Sequence, residues 1–174
     1  MDRKKLTTHL GGVWSAAPTP FTEQMKIDRV AIRRMVQHHL HLKVNGLFLA
    51  GTNGEGPWLT EDARQDLVAT VVKHTGGRMP VAVQVTDNSS DRILANIQAV
   101  KKAGADIAVI APPYFMMNAT PASIRALYTD AIRKSPLPIG IYDKGRNGAV
   151  VVPDRVIGDL YAERNVVLVK DSST

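Results

Sequence analysis

The sequence predicts a parallel α/β fold built from about six βα units. Short apolar runs rich in β-branched residues alternate with amphipathic helical stretches, and the runs begin near residues 12, 46, 81, 107, 139 and 166. That spacing, about 26 to 35 residues, is the length of one βα unit. The runs are continuously apolar rather than alternating, as parallel strands covered on both faces should be. No linker or low-complexity segment divides the 174 residues, so one domain over 1–174 is expected. Repeated βα units form either a doubly wound sheet or a barrel.

The first run, 12–17, ends in the turn-rich Pro18-Thr19-Pro20-Phe21. Asp28 is placed to cap a helix over 29–43; its apolar stripe is Ile32, Met35, Val36 and Leu40, at helical spacing. A strand over 46–50 leads to a helix over 61–74, capped by Thr60 and stopped by Gly76-Gly77. A strand over 81–85 and a helix over 90–103 follow, with Gly104 where a terminating glycine belongs. The strand 107–111 precedes a helix that opens with Thr120-Pro121, a cap followed by proline in the first turn, and runs to Lys134. A strand over 139–142, a short helix over 153–161 and a strand over 166–170 complete the pattern.

Composition narrows the function. With no cysteine, a disulfide framework, a thiolate zinc site and a cysteine nucleophile are excluded. The charged start, residues 1–5, is followed by no apolar segment of the kind a signal peptide needs, and no run approaches the ~20 apolar residues of a membrane helix; a cytoplasmic protein with no membrane partner is expected. The net charge of +6 comes from dispersed Lys and Arg without interleaved aromatics, which suits small anions better than nucleic acid.

In parallel α/β folds, chemistry gathers at the carboxyl ends of the strands. Lys170 follows the apolar Val166-Val167-Leu168-Val169. Burial there disfavours an ammonium, and a neutral amine can attack a ketone to form an imine; the alternative is a lysine leaving the sheet for solvent. Tyr142 ends the fifth strand, where its hydroxyl could move a proton or simply be a packed aromatic with a satisfied hydroxyl. Gly51-Thr52-Asn53-Gly54-Glu55-Gly56 follows the second strand. It lacks the Gly-Lys-Ser/Thr ending of a nucleotide loop and a clean G-x-G-x-x-G, yet its glycines allow close backbone approach to a ligand, and its N–H groups and the Thr52 hydroxyl could grip a carboxylate. His38, His39 and His41 cluster on the first helix, His38 and His41 sharing a face. With no carboxylate partner evident, a solvated helix face is expected rather than a metal site.

Taken together, these residues resemble the dihydrodipicolinate synthase/N-acetylneuraminate lyase family from about Gly11 to the end of the chain. The resemblance rests on Pro18-Thr19-Pro20-Phe21 with Lys26-Ile27-Asp28, on Gly51-Thr52-Asn53-Gly54-Glu55, on Ala103-Gly104-Ala105-Asp106 with Pro112-Pro113-Tyr114-Phe115, and on Tyr142 and Lys170-Asp171-Ser172-Ser173. It implies a (β/α)₈ barrel, usually a tetramer or dimer of dimers. It implies Lys170 as the imine former with pyruvate or another 2-oxo acid, and Tyr142 as proton relay. Gly51, Thr52 and Asn53 would hold the ketoacid carboxylate, and an aldehyde would be the second substrate. No metal or organic cofactor is implied, because the protonated imine is itself the electron sink. Three departures stand out. Asn53 replaces the second hydroxyl residue of the loop, and Phe115 replaces the second tyrosine of a Tyr-Tyr pair. The stretch from Tyr142 to Arg146 is one residue short, which puts the substrate-carboxylate role of Arg146 in question. These departures, with the Lys-Asp-Ser-Ser ending, favour an aldolase or lyase acting on sugar acids. The alternatives are a 4-hydroxy-tetrahydrodipicolinate synthase, a non-catalytic 2-oxo-acid sensor, or a metal-dependent aldolase using the histidines.

Eight strands close such a barrel, and six are legible. Open sheet edges invite intermolecular pairing, so either a longer chain or another chain is expected to supply the remaining strands. Expression of residues 1–174 alone tests this: an aggregated or inactive product is expected, and a monomeric, cooperatively melting, active one would contradict it.

Overall fold

The computed structural model describes residues 10–173; the charged residues 1–5 lie outside them. Strands and helices alternate as β1 (Trp14–Ala16), α1 (Arg29–His41), β2 (Gly46–Leu49), α2 (Glu61–Thr75), β3 (Val81–Gln84), α3 (Ser90–Lys102), β4 (Ile107–Ile110), α4 (Pro121–Lys134), β5 (Ile139–Asp143), α5 (Asp154–Tyr161) and β6 (Val166–Asp171). Two short 3₁₀ turns, Gly56–Trp58 and Gly145–Asn147, sit in the loops after β2 and β5. Among the described residues no helix is long and apolar enough to cross a membrane.

The chain forms two compact units, one of residues up to 84 with 99–107, the other of 85–98 with 108–174. In the first, β1, β2 and β3 run parallel in that order, with Trp14 beside Gly46 and Leu47 beside Val81. A side chain at Gly46 would collide with the Trp14 ring. Helices α1 and α2 pack together, and Ile32, Val36, Leu67, Val68 and Val71 are fully buried with Leu47, Val81 and Val83. In the second unit, β4, β5 and β6 are parallel, with Ala108 beside Ile139 and Ile141 beside Val169. Helix α4 packs against α5 and buries Ile124, Tyr128, Ala131 and Ile132.

The helix boundaries follow from local chemistry. The Asp28 Oδ1 atom accepts from Val30 N and Ala31 N, both at 2.9 Å, satisfying two N–H groups that the first turn cannot pair internally. Thr60 caps α2 by accepting from Ala63 N, and Gly76 ends it at φ +57. Thr120 and Ser123 form a capping box at the start of α4, each side chain accepting the other's backbone N–H. Gly104, after α3, has φ +99, and a Cβ there would meet Val72 Cγ1 at 2.8 Å.

Several sequence expectations need correction. The first strand begins at Trp14 rather than at residue 12, because Gly12 has φ +98, outside the extended region. Helix α1 stops at His41 rather than 43, since Lys43 sits at φ +57. The histidines are not all solvated: His39 is buried. Its Nδ1 lies 2.8 Å from the Met35 carbonyl oxygen and its Nε2 2.8 Å from Ser15 Oγ. With Nδ1–H donating to the carbonyl, Nε2 is left to accept from the serine hydroxyl, and the neutral ring is satisfied at both nitrogens. The buried stripe of α1 is therefore Ile32, Val36 and His39, with Met35 and Leu40 at its margins. Strand β6 is not covered on both faces; Val169 is 44% exposed.

Replacing Asp28 by Ala removes both cap bonds. It should cost about 1 kcal/mol, read as a lower midpoint of urea or thermal unfolding, with Asp28→Asn retaining most of the stability.

Candidate active site

Strands β5 and β6 carry the two predicted catalytic side chains. Ile139 pairs with Val166, but Gly140 pairs with Leu168, so the register shifts by one residue between them. Val167 is the extra residue of a bulge. Beyond it Tyr142 lies directly beside Lys170, and Asp143 beside Asp171. Side chains alternate across a strand, so Tyr142 and Lys170 share one face and Asp143 and Asp171 share the other. The Lys170 Nζ atom lies 4.2 Å from the centroid of the Tyr142 ring. Tyr142 is 6% exposed, and Lys170 is half-buried. Gly140 keeps this face open below Tyr142: a Cβ would press on Leu168 and Val109 at 3.1 Å.

The opposite face is tied to helix α5. Asp143 Oδ2 accepts from the Tyr161 hydroxyl at 2.9 Å, and Oδ1 accepts from Gly145 N at 2.8 Å. Its backbone carbonyl accepts from Ser172 N. Burial, the hydrogen bond to Asp143 and the charges of Asp143 and Asp171 push the Tyr161 phenol far above its ordinary value. Burial, with the charge of Asp143 and the neighbouring Tyr161 phenol, does the same to Tyr128, which is fully enclosed. Asp171 is held below the usual carboxylate range by hydrogen bonds from the Ser173 side chain and backbone.

The segment after β5 is short and tightly turned. Gly145 adopts φ +51, and a Cβ there would lie 2.6 Å from Ser173 Cα, so only glycine fits. The turn leaves Arg146 exposed and sets a residue that sequence reasoning passed over, Lys144, with Nζ 5.2 Å from the Tyr142 ring centroid. The signal available was its place two residues beyond Tyr142, just past the strand end.

In the other unit, the loop after β2 is shaped by backbone packing. Thr19 is buried and donates its hydroxyl to the Gly54 carbonyl at 2.6 Å, which accounts for a threonine between two prolines at the end of β1. Gly51 and Gly56 close the loop through Gly56 N to Gly51 O at 3.1 Å. A Cβ on Gly56 would fall 1.7 Å from Ala50 O, and one on Gly54 2.9 Å from Ala50 N. Thr52 and Asn53 are exposed. The Asn53 amide donates to the Ala16 carbonyl at 2.6 Å, so this departure from the family motif fastens the loop to β1.

Comparison with known proteins shows the family and the fold. A profile of the Dihydrodipicolinate synthetase family matches residues 9–174. The 4-hydroxy-tetrahydrodipicolinate synthase of Jannaschia sp. is 31% identical over 162 residues, covering 93% of this chain and 55% of the relative. That of Thermotoga maritima is also 31% identical, over 166 residues, with the same coverage. A crystal structure of dihydrodipicolinate synthase from Aquifex aeolicus superposes with TM-score 0.83 at 25% identity, covering 92% of this chain and 54% of that one. A putative family protein from Coccidioides immitis gives TM-score 0.82 at 29% identity, covering 91% and 51%. The chain thus spans about half the length of the relatives it matches, and its fold class is that of the (β/α)₈ barrel, with six strands and the five helices between them among the described residues.

The raised Tyr161 phenol has a consequence with a definite sign. Folded Tyr161 keeps its proton where an unfolded tyrosine, titrating near pH ~10, loses it. Its contribution to stability is complete below that pH and falls as pH rises above it. Tyr161→Phe should flatten the loss of thermal stability between about pH 9 and 11, measured as melting temperature against pH; an unchanged slope would mean the phenol is not held this way.

Proposed function

Because the chain belongs to the dihydrodipicolinate synthetase family, we propose that it performs imine-based carbon–carbon lyase or aldolase chemistry on pyruvate and an aldehyde, or on a 2-keto-3-deoxy sugar acid. The observation that carries the reading is the pairing of Tyr142 with Lys170 on one strand face, the amine 4.2 Å from the ring centroid. An amine attacking a ketone must lose a proton and later see water leave; a phenol beside it can take and return that proton. The iminium then draws electrons from the adjacent carbon–carbon bond, or from a C–H bond, to give an enamine. The enamine adds to an aldehyde in one direction and is protonated to release pyruvate in the other, and hydrolysis of the imine frees Lys170.

Further roles are carried over from the family motif alone. Gly51, Thr52 and Asn53 hold the ketoacid carboxylate; the exposed Thr52 hydroxyl fits that role more readily than Asn53, whose amide is engaged with Ala16. Arg146 is the family's candidate for a second carboxylate. Assembly into a homo-oligomer and a cytoplasmic location belong to the same proposal.

The names of the relatives favour a second reading, 4-hydroxy-tetrahydrodipicolinate synthase. Two features weigh against it: Phe115, 63% exposed, stands where the synthases have a relay tyrosine, and Arg146 sits on an exposed turn. A screen of 2-keto-3-deoxy acids for pyruvate release, set beside the synthase assay, separates the two.

Reduction with borohydride in the presence of pyruvate should add one reduced pyruvate to Lys170, seen by peptide mass. Lys170→Ala should not trap, and Tyr142→Phe should trap at least roughly a hundredfold more slowly. Trapping on another lysine, or equal rates in Tyr142→Phe, would overturn the assignment.

A further inference from the structure

Two lysine side chains converge on a single buried phenol ring. Lys170 Nζ lies 4.2 Å from the Tyr142 centroid and Lys144 Nζ 5.2 Å. The aromatic face offsets only part of the cost of holding a cation there. The stronger partner for an ammonium is an anion, and neither Lys144 nor Arg146 makes an ion pair among the described residues. The neighbouring carboxylates are committed elsewhere: Asp143 to Gly145 N and the Tyr161 hydroxyl, and Asp171 to Ser173.

The position of Lys144 is built rather than incidental. The Asp143 bond to Gly145 N, the left-handed Gly145 and its close approach to Ser173 fix the turn. The turn brings Lys144 to the ring and leaves Arg146 on the surface. Lys144 also lies beyond the end of β5, past the level of the Tyr142–Lys170 pair. A substrate bonded to Lys170 through its ketone carbon must run its free end outward, toward the carboxyl end of the strands, and so toward Lys144.

We propose that Lys144 is the specificity-determining cation of this site. It pairs with an acid group at the far end of the substrate, so the chain selects 2-oxo acids bearing a second, terminal carboxylate over those ending in a hydroxymethyl group. The proposal rests on the imine reading above for where the ketone sits. It differs from the family pattern in the residue and in the strand-end turn that presents it.

The test uses two 2-keto-3-deoxy acids of equal length, one ending in a carboxylate and one in a primary alcohol. Pyruvate release is measured for each in wild type, Lys144→Met, Lys144→Arg and Arg146→Met. Wild type should favour the diacid in kcat/KM. Lys144→Met should lose that preference by roughly ten- to hundredfold, the worth of one charge-assisted contact, mainly through KM, and Lys144→Arg should keep most of it. Calorimetric binding of the matching 2-hydroxy diacid, which has no ketone to react, provides a readout independent of chemistry and should weaken by a similar factor in Lys144→Met. Three outcomes overturn the proposal: a uniform loss on both acids with the preference intact, diacid binding indifferent to Lys144, or loss of preference in Arg146→Met alone. Failure of pyruvate to trap on Lys170, with Lys144-dependent diacid binding retained, would instead remove the imine reading and leave the cation site standing.

Discussion

The pairing of Tyr142 with Lys170, on which the proposed chemistry rests, depends on one backbone irregularity, the register shift between β5 and β6. Without the bulge at Val167, Gly140 would pair with Val167 and Tyr142 with Val169, and Lys170 would stand opposite Asp143. Because strand side chains alternate with period two, a slip of one residue sends a side chain to the other face of the sheet. Lys170 would then point toward the Asp143–Tyr161 side and gain a carboxylate partner instead of a phenol. An amine and a phenol side by side on one face thus require the bulge as much as they require the two residues. Gly140 belongs to the same constraint, since a side chain there would press on Leu168, the residue that the shift brings opposite it.

Across the sheet, the helix-facing side of β5 supplies stiffness rather than reactivity. Asp143 uses one oxygen on the Tyr161 hydroxyl and the other on the backbone of the turn, so the strand end, helix α5 and the turn hold one another. Burial keeps the nearby phenols of Tyr161 and Tyr128 protonated; Tyr161 can therefore act as a hydrogen-bond donor over the whole range where proteins are folded. The two faces differ in role: one ties the strand end to helix α5, and the other carries Tyr142 beside Lys170.

Much of this was legible in the chain itself where the determinants are local. Asp28, Thr60 and Thr120 marked helix starts because each satisfies N–H groups within three residues of itself, and Gly76 marked an end because few other residues accept a left-handed turn. Lys170 and Tyr142 stood out because each ends an apolar strand. What was not legible depends on contacts between distant segments. His39 reads as a surface residue until Ser15, on another element, supplies the hydroxyl that lets it be buried. The bulge cannot be seen in Val166-Val167-Leu168-Val169, where every residue is apolar and any register is equally greasy. Lys144 lies in a polar stretch where a lysine draws no attention, and only the Gly145 turn gives it direction.

The loops after β2 and β5 are fastened by the same physical means. Asn53 reaches the Ala16 carbonyl and fastens its loop to β1. Asp143, next to Tyr142, reaches Gly145 N and fastens its turn to β5. In both places a polar side chain bonds to backbone, so the loop is held by its own residues. A loop fixed in this way needs no ligand to order it, so less of a substrate's binding energy goes into arranging the site. Such a loop also adapts less readily, and a fixed cation rewards an acid group only at the distance it was built for. If the proposed imine chemistry holds, narrow preference rather than broad tolerance is what such fixed loops should produce.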